Sequence, residues 1–391
     1  MNQRERYHKF IKDQNPADMP LWGDWVGPYP EWVAQGMPAA PAQCLAEGEE
    51  GRRRYMMEHF GFEGIYSIFW GPSRLPVNIN IDPPFETEII EKTDRHTIYR
   101  NGGGVVVKEM NQEYKGSVVT TQQYLDHPLH GSADWAEFRD NHLIWDYASR
   151  YPSDAEWARL VNVCKDRDFI VSIDGGSFYG FLRDWMGVEG ISFAMYEEAE
   201  WVHEAVDYLA DMYIKILNRA VTDIPDIDAA FFWEDMCYKT GPLCSPAMFR
   251  EFFLPAYKKV TKFLYDHGVK SMWVDCDGKI DELIDLWLEG GVNGFYPMEV
   301  AAGMDAYALK QKYGKQIVLW GGIDKREIAL GKDAIDAELL RVKAAVEMGG
   351  FIPLFDHGVV EDISYENFCY YNKRRREIFD IKPIEAKGRL R

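Results

Sequence analysis

From about residue 160 onward, short apolar runs alternate with longer segments whose apolar positions recur at helical spacing. The runs are "DFIVSID", "AAFFWED", "KSMWVDCD", "GFYPME", "QIVLWGGID" and "GFIPLFDH". Between them lie amphipathic stretches such as "MYEEAEWVHEAVDYLADMYIKILNRA" and "DAIDAELLRVKAAVEMGG". Strands that are apolar on both faces, separated by such helices, predict a parallel sheet covered by helices. Two earlier runs, "MPLWGDW" and "GIYSIFW", bring the count to eight, which predicts an α/β fold of the (β/α)8 (TIM) barrel type. A doubly wound sheet is the competing arrangement, but no G-x-G-x-x-G follows any strand.

Residues 85–125 break the alternation, with period-two stretches on either side of "RNGGG". This predicts a β-hairpin excursion after the second strand, inside a single domain spanning 1–391. The basic stretch "KRRREIFDIKPIEAKGRLR" reads as a solvated end.

Charge narrows the partners. With a net charge of −19, the chain would be repelled by nucleic acid and by anionic membrane surfaces. The six cysteines form no C-x-x-C pair, and neither an apolar leader nor a run of 18 apolar residues occurs. A cytoplasmic protein with reduced thiols and no membrane partner is expected. Thirteen Trp exceed what a core commonly needs and suggest an aromatic-lined pocket.

Barrel enzymes build their sites where strands end. Here those ends carry Trp22 and Asp24, Asp174, Glu234 and Asp235, Asp275 and Asp277, Glu299, Asp324 with Lys325, and Asp356 with His357. A single Asp after a strand commonly caps the next helix. Several carboxylates on one rim repel each other, which favours a bound cation, a shared proton or a basic partner such as Lys325 or Arg183. In "VDCD", alternation puts Asp275 and Asp277 on one face and Cys276 on the other. His357 stands beside Asp356, which could fix its tautomer. Neither a G-x-S-x-G elbow nor a P-loop occurs.

The segments "WEDMCYKTGPLCSPAMFREFFLPAYKKV", "DGKIDELIDLWLEGGVNGFYPMEVAAGMD", "GGIDK" and "HGVV", followed by "ISYEN", resemble the uroporphyrinogen decarboxylase superfamily over roughly residues 165 to 375. The resemblance implies a (β/α)8 barrel and two candidate activities. Metal-free decarboxylases of the family hold an octa-acid with arginines near the first strand. This chain has "LWGDWVGPYPEW" there, without arginine, so the substrate's carboxylates would lie unpaired. The corrinoid-linked methyltransferases bind zinc through H-x-C and a late cysteine. Those positions fall on Asp275, Asp277 and His357, an oxygen-rich set suited to polarising an ether or alcohol oxygen.

The expected function is therefore a metal-dependent methyltransferase that moves a methyl group from a small methoxylated substrate, with aromatic compounds the favoured class, to a corrinoid carried by a partner protein. Asp275, Asp277 and His357 would hold a divalent metal, expected to be zinc. Glu234 or Glu299 would complete the ligand set or protonate the leaving oxygen. Trp22, Trp25, Trp233 and Phe178 would line the pocket, with Arg183 and Lys325 as cationic contacts. The alternative is a metal-free decarboxylase or lyase of a small carboxylate, using Asp24 and His357 for protonation. A ligand-sensing barrel is the non-enzymatic reading, and a homodimer is left open.

Overall fold

The computed structural model describes residues 1–24, 28–65, 73–111, 122–382 and 384. Each of the eight apolar runs contains a parallel strand. A short pair comes first, β1 (Trp22–Gly23) with β2 (Gly64–Ile65). Four antiparallel strands follow: β3 (Glu88–Lys92), β4 (His96–Arg100), β5 (Val106–Met110) and β6 (Gln123–Asp126). Next come β7 (Ser172–Gly176), β8 (Ala229–Trp233) and a small hairpin, β9 (Cys237–Tyr238) with β10 (Gly241–Pro242). The last four are β11 (Met272–Asp275), β12 (Gly294–Met298), β13 (Val318–Ile323) and β14 (Phe351–Phe355).

β7, β8 and β11 to β14 form one parallel sheet in the order β14-β13-β12-β11-β8-β7. Its strands are buried almost throughout, because helices cover the outer face and side chains fill the inner one. Beyond β1, Asp24 meets one edge of this sheet, where Phe355 N–H donates to its carboxylate at 2.7 Å. At the other edge the segment 73–75 runs beside β7: Leu75 N–H donates to Ser172 O and Ser172 N–H to Ser73 O, both at 2.9 Å. The eight strands thus follow the order of a (β/α)8 barrel, as the alternation predicted.

The interior is aromatic. Trp22 packs edge-on to Trp320 at 5.1 Å, and Trp320 lies 4.5 Å from Tyr296, centroid to centroid. Helix Gln3–Asp13 brings Tyr7 and Phe10 into this core. Tyr7 stacks on Trp22, and Trp273 Nε1 donates to Ser271 Oγ at 2.7 Å and to Tyr7 Oη at 3.2 Å. Arg4 and Arg167 pair with the buried Asp228, which precedes β8, and fasten this helix at the N-terminal end of the strands.

The hairpin expected around "RNGGG" is present as β4 with β5, and β3 and β6 flank it in a four-stranded antiparallel sheet, with the buried Val107 across from both Tyr99 and Tyr124. One expectation changes. The basic run is not a solvated end over "KRRREIF". It lies in helix Tyr365–Phe379, where Arg375 is 1% exposed and points at Asp24 and the Trp22 carbonyl. A cation can be buried there because a buried carboxylate and several carbonyl oxygens meet it. Among the described residues, no helix is long and apolar enough to cross a membrane.

Candidate active site

The C-terminal ends of β8 and β11 lie side by side, with Asp275 paired to Trp233 in register. Just beyond them, carboxylate oxygens of Asp235, Asp275 and Asp277 all lie within 4.8 Å of one another. Asp275 and Asp277 share a face, as alternation predicted. Cys276 between them turns away into the core, where it is 0% exposed and its Sγ accepts from Met236 N–H at 3.3 Å. Burial pushes this thiol well above its ordinary range, so it stays protonated.

Asp235 enters by a turn of the backbone. Its φ of 41° is left-handed, which aims the carboxylate towards the β11 end, where its Oδ1 accepts from Asp277 N–H at 3.2 Å. Burial, then the facing charge of Asp277, pushes the Asp235 carboxyl up to about 6, with Arg183 opposing. A divalent cation would relieve that repulsion. Three hard oxygen donors on one small volume suit such an ion.

His357 borders this group. Its Nε2 lies 3.2 Å from Asp277 Oδ1 and its Nδ1 3.4 Å from Asp356 Oδ1. Burial disfavours the imidazolium, yet Asp277 and Asp356 outweigh it and raise the pKa to about 10. The ring therefore carries a proton across the neutral range. Among the described residues, the set that could hold a metal contains Asp235 where the sequence pointed to His357.

Glu234 is not free to act as acid or ligand. It is fully buried, and its oxygens accept from the N–H groups of Phe178, Tyr179 and Gly180 at 2.9 Å, from Tyr257 Oη at 2.5 Å and from Ser177 Oγ at 3.2 Å. It neutralises the start of helix Tyr179–Glu197. Burial still raises its pKa against those donors. Asp24 is likewise buried, locked between Phe355 N–H and Arg375, which removes it from protonation chemistry. Glu299 is half-buried and accepts from Gly278 N–H at 2.7 Å, so it steadies the loop carrying Asp277.

The pocket residues divide. Trp22 and Phe178 are core: Trp22 is 2% exposed, and Phe178 is enclosed by Tyr213, Phe232 and Tyr257. Large aromatic area makes them excellent core fillers whatever their position along the strand. Trp233 is half-buried at the end of β8, with the Arg183 guanidinium 5.0 Å over its ring. Arg183 also donates to Asp235 O and to Asp184 Oδ1. Lys325 is half-buried at the end of β13. Trp25 lies outside the described residues. The sequence places Asp235 at a strand end but not among the expected ligands. Its backbone turn is what brings it in, and no local pattern announces that turn.

A parallel α/β barrel with an acid cluster at its strand ends is an enzyme-type scaffold. Residues 185–378, just under half of the chain, match the family model described as Uroporphyrinogen decarboxylase (URO-D), which supports a place in that superfamily. Among solved structures, a methyltransferase from Methanosarcina mazei is 16% identical, with a TM-score of 0.61 over 97% of this chain and 100% of that chain. That likeness establishes the shared fold. A B12-independent methionine synthase from Shewanella sp. W3-18-1 is 12% identical over 93% of this chain and 99% of its own, with a TM-score of 0.40. No curated protein matches the chain.

Proposed function

We propose that this protein is a metal-dependent methyltransferase that takes the methyl group of a small methoxylated compound, aromatic ones first among them, and delivers it to a corrinoid held by a partner protein. The observation that carries this reading is the meeting of Asp235, Asp275 and Asp277 oxygens within 4.8 Å at the strand ends. The fold shared with a methyltransferase agrees with it. These three carboxylates would hold a divalent cation, with zinc the first ion to test. Such an ion supplies Lewis acidity that weakens the bond from ether oxygen to methyl carbon. The chain's own groups do the rest. Trp233 offers an aromatic surface to the substrate, and protonated His357, held by Asp277 and Asp356, can donate a proton to the departing oxygen. Glu299 keeps the Asp277 loop in place.

The test pairs elemental analysis of purified protein with a methyl-transfer assay using methoxylated aromatic compounds and free cob(I)alamin. About one equivalent of metal per chain and formation of methylcobalamin are expected, both lost in Asp277→Asn. Full methyl transfer by protein stripped of metal would overturn the reading.

One observation favours a second reading. An imidazolium lying between two carboxylates is also a competent general acid for a metal-free decarboxylase or lyase. That enzyme would ignore chelators and lose activity as pH rises through about 10.

A further inference from the structure

Asp235 sits where two forces push it away. Its backbone is left-handed at φ 41°, a conformation uncommon outside glycine, although Asp reaches it more readily than most residues. Its carboxylate also faces those of Asp275 and Asp277 within 4.8 Å. Something must over-determine this placement, and the residues on either side of it show what does.

Glu234 is the first anchor. Its carboxylate is spent on five donors from the segment 177–180 and Tyr257, which ties the end of β8 to the start of helix Tyr179–Glu197. The docking is close: a Cβ on Gly180 would lie 2.8 Å from Glu234 O and 2.9 Å from Trp233 O. Arg183, one turn further along that helix, is the second anchor. It donates to Asp235 O and covers the Trp233 ring at 5.0 Å. One helix thus grips three consecutive residues: Trp233 by its ring, Glu234 by its carboxylate and Asp235 by its carbonyl.

We propose that Glu234 and Arg183 are positioning residues that hold Asp235 in the acid cluster, and that Arg183 serves this purpose and not the recognition of a substrate anion. The inference rests on the metal reading of the cluster for its functional meaning, though not for its geometry. Removing hydrogen bonds that hold a metal-binding residue in place commonly changes metal affinity by about 10–100-fold.

The experiment uses Arg183→Met, which keeps side-chain length and apolar packing on Trp233 but removes the donor. Arg183→Lys restores one donor, and Glu234→Gln keeps the shape of Glu234 without its charge. Cobalt(II) is the probe, titrated by calorimetry and by its visible absorption, which reports how many ligands surround the ion. Arg183→Met and Glu234→Gln should weaken cobalt binding at least about tenfold and alter the spectrum, while Arg183→Lys recovers much of the affinity. Far-UV circular dichroism should be unchanged in Arg183→Met; if Glu234→Gln fails to fold, Arg183→Met carries the test.

Crystal structures of the wild type and Arg183→Met separate this inference from the metal reading. If the wild type binds no cobalt, the metal reading falls, and the inference is decided by Asp235 alone. A carboxylate of Asp235 that stays in the cluster without Arg183 overturns the inference. Its departure supports it.

Discussion

At the scale of single residues, neighbours in sequence have opposite fates. Asp277 is half-exposed at the cleft, whereas Cys276 is fully buried with its thiol hydrogen-bonded to the backbone. Asp277→Asn should therefore remove bound metal and activity together, by tenfold or more on the scale of about 10–100-fold. Cys276→Ser should leave metal content within about twofold, since the hydroxyl can still accept from Met236. Elemental analysis of both variants decides it, and metal loss in Cys276→Ser alone would reverse the face assignment. Asp235 gives a pH test on metal-free protein. Its folded pKa, about 6, lies above the ordinary 3.8. The folded state then binds more protons than the unfolded one across that window, so stability falls as pH rises through it. Asp235→Asn removes this penalty. Thermal denaturation in chelator should show the variant more stable than wild type above pH about 6 and level with it near pH about 4.

At the scale of elements, the loop after β11 depends on a glycine. Gly278 has φ 84°, and a Cβ there would lie 2.8 Å from Tyr238 O and 2.9 Å from Cys237 C. Its N–H also feeds Glu299, so the loop is pinned from two sides. Gly278→Ala must shift the backbone away from the β9–β10 hairpin. A stability loss of about 1–3 kcal/mol is expected from backbone strain of this kind, with a matching drop in metal affinity. Chemical denaturation and metal titration on the same sample would check both. An alanine variant with wild-type metal affinity would mean that this loop does not govern the site.

At the scale of the molecule, the barrel separates stability from chemistry, as such folds do. Helix Gln3–Asp13 packs at the N-terminal end of the strands, away from the acid cluster, and buries Tyr7 and Phe10 completely. Phe10→Ala should cost about 3–5 kcal/mol of stability while metal content and catalytic constants at low temperature stay as in the wild type. Denaturant unfolding beside elemental analysis tests this. Loss of metal from a folded Phe10→Ala protein would show that the two ends of the barrel are coupled.

The eight strands were legible because burial on both faces demands continuous apolar runs, and the intervening helices carry their own period. Asp275 and Asp277 were legible as a pair because a strand's alternation is local. The superfamily was legible in the order of several strand-end motifs. Other assignments needed the folded chain. Nothing in "WED" tells which acid is consumed by a helix terminus and which is turned into the cleft; that choice depends on four donors from the preceding βα unit, on Tyr257 in a following helix and on a left-handed φ. Asp24 resembled a site residue until Arg375, some 350 positions away, met it in the core. Trp22 and Phe178 could as well have lined a pocket as filled a core, since both uses need the same aromatic surface. Local pattern determines which residues a strand end presents. Only contacts between distant segments determine which charges are neutralised inside the fold and which remain for chemistry, because the energy of a buried charge depends on partners that the neighbouring sequence does not contain.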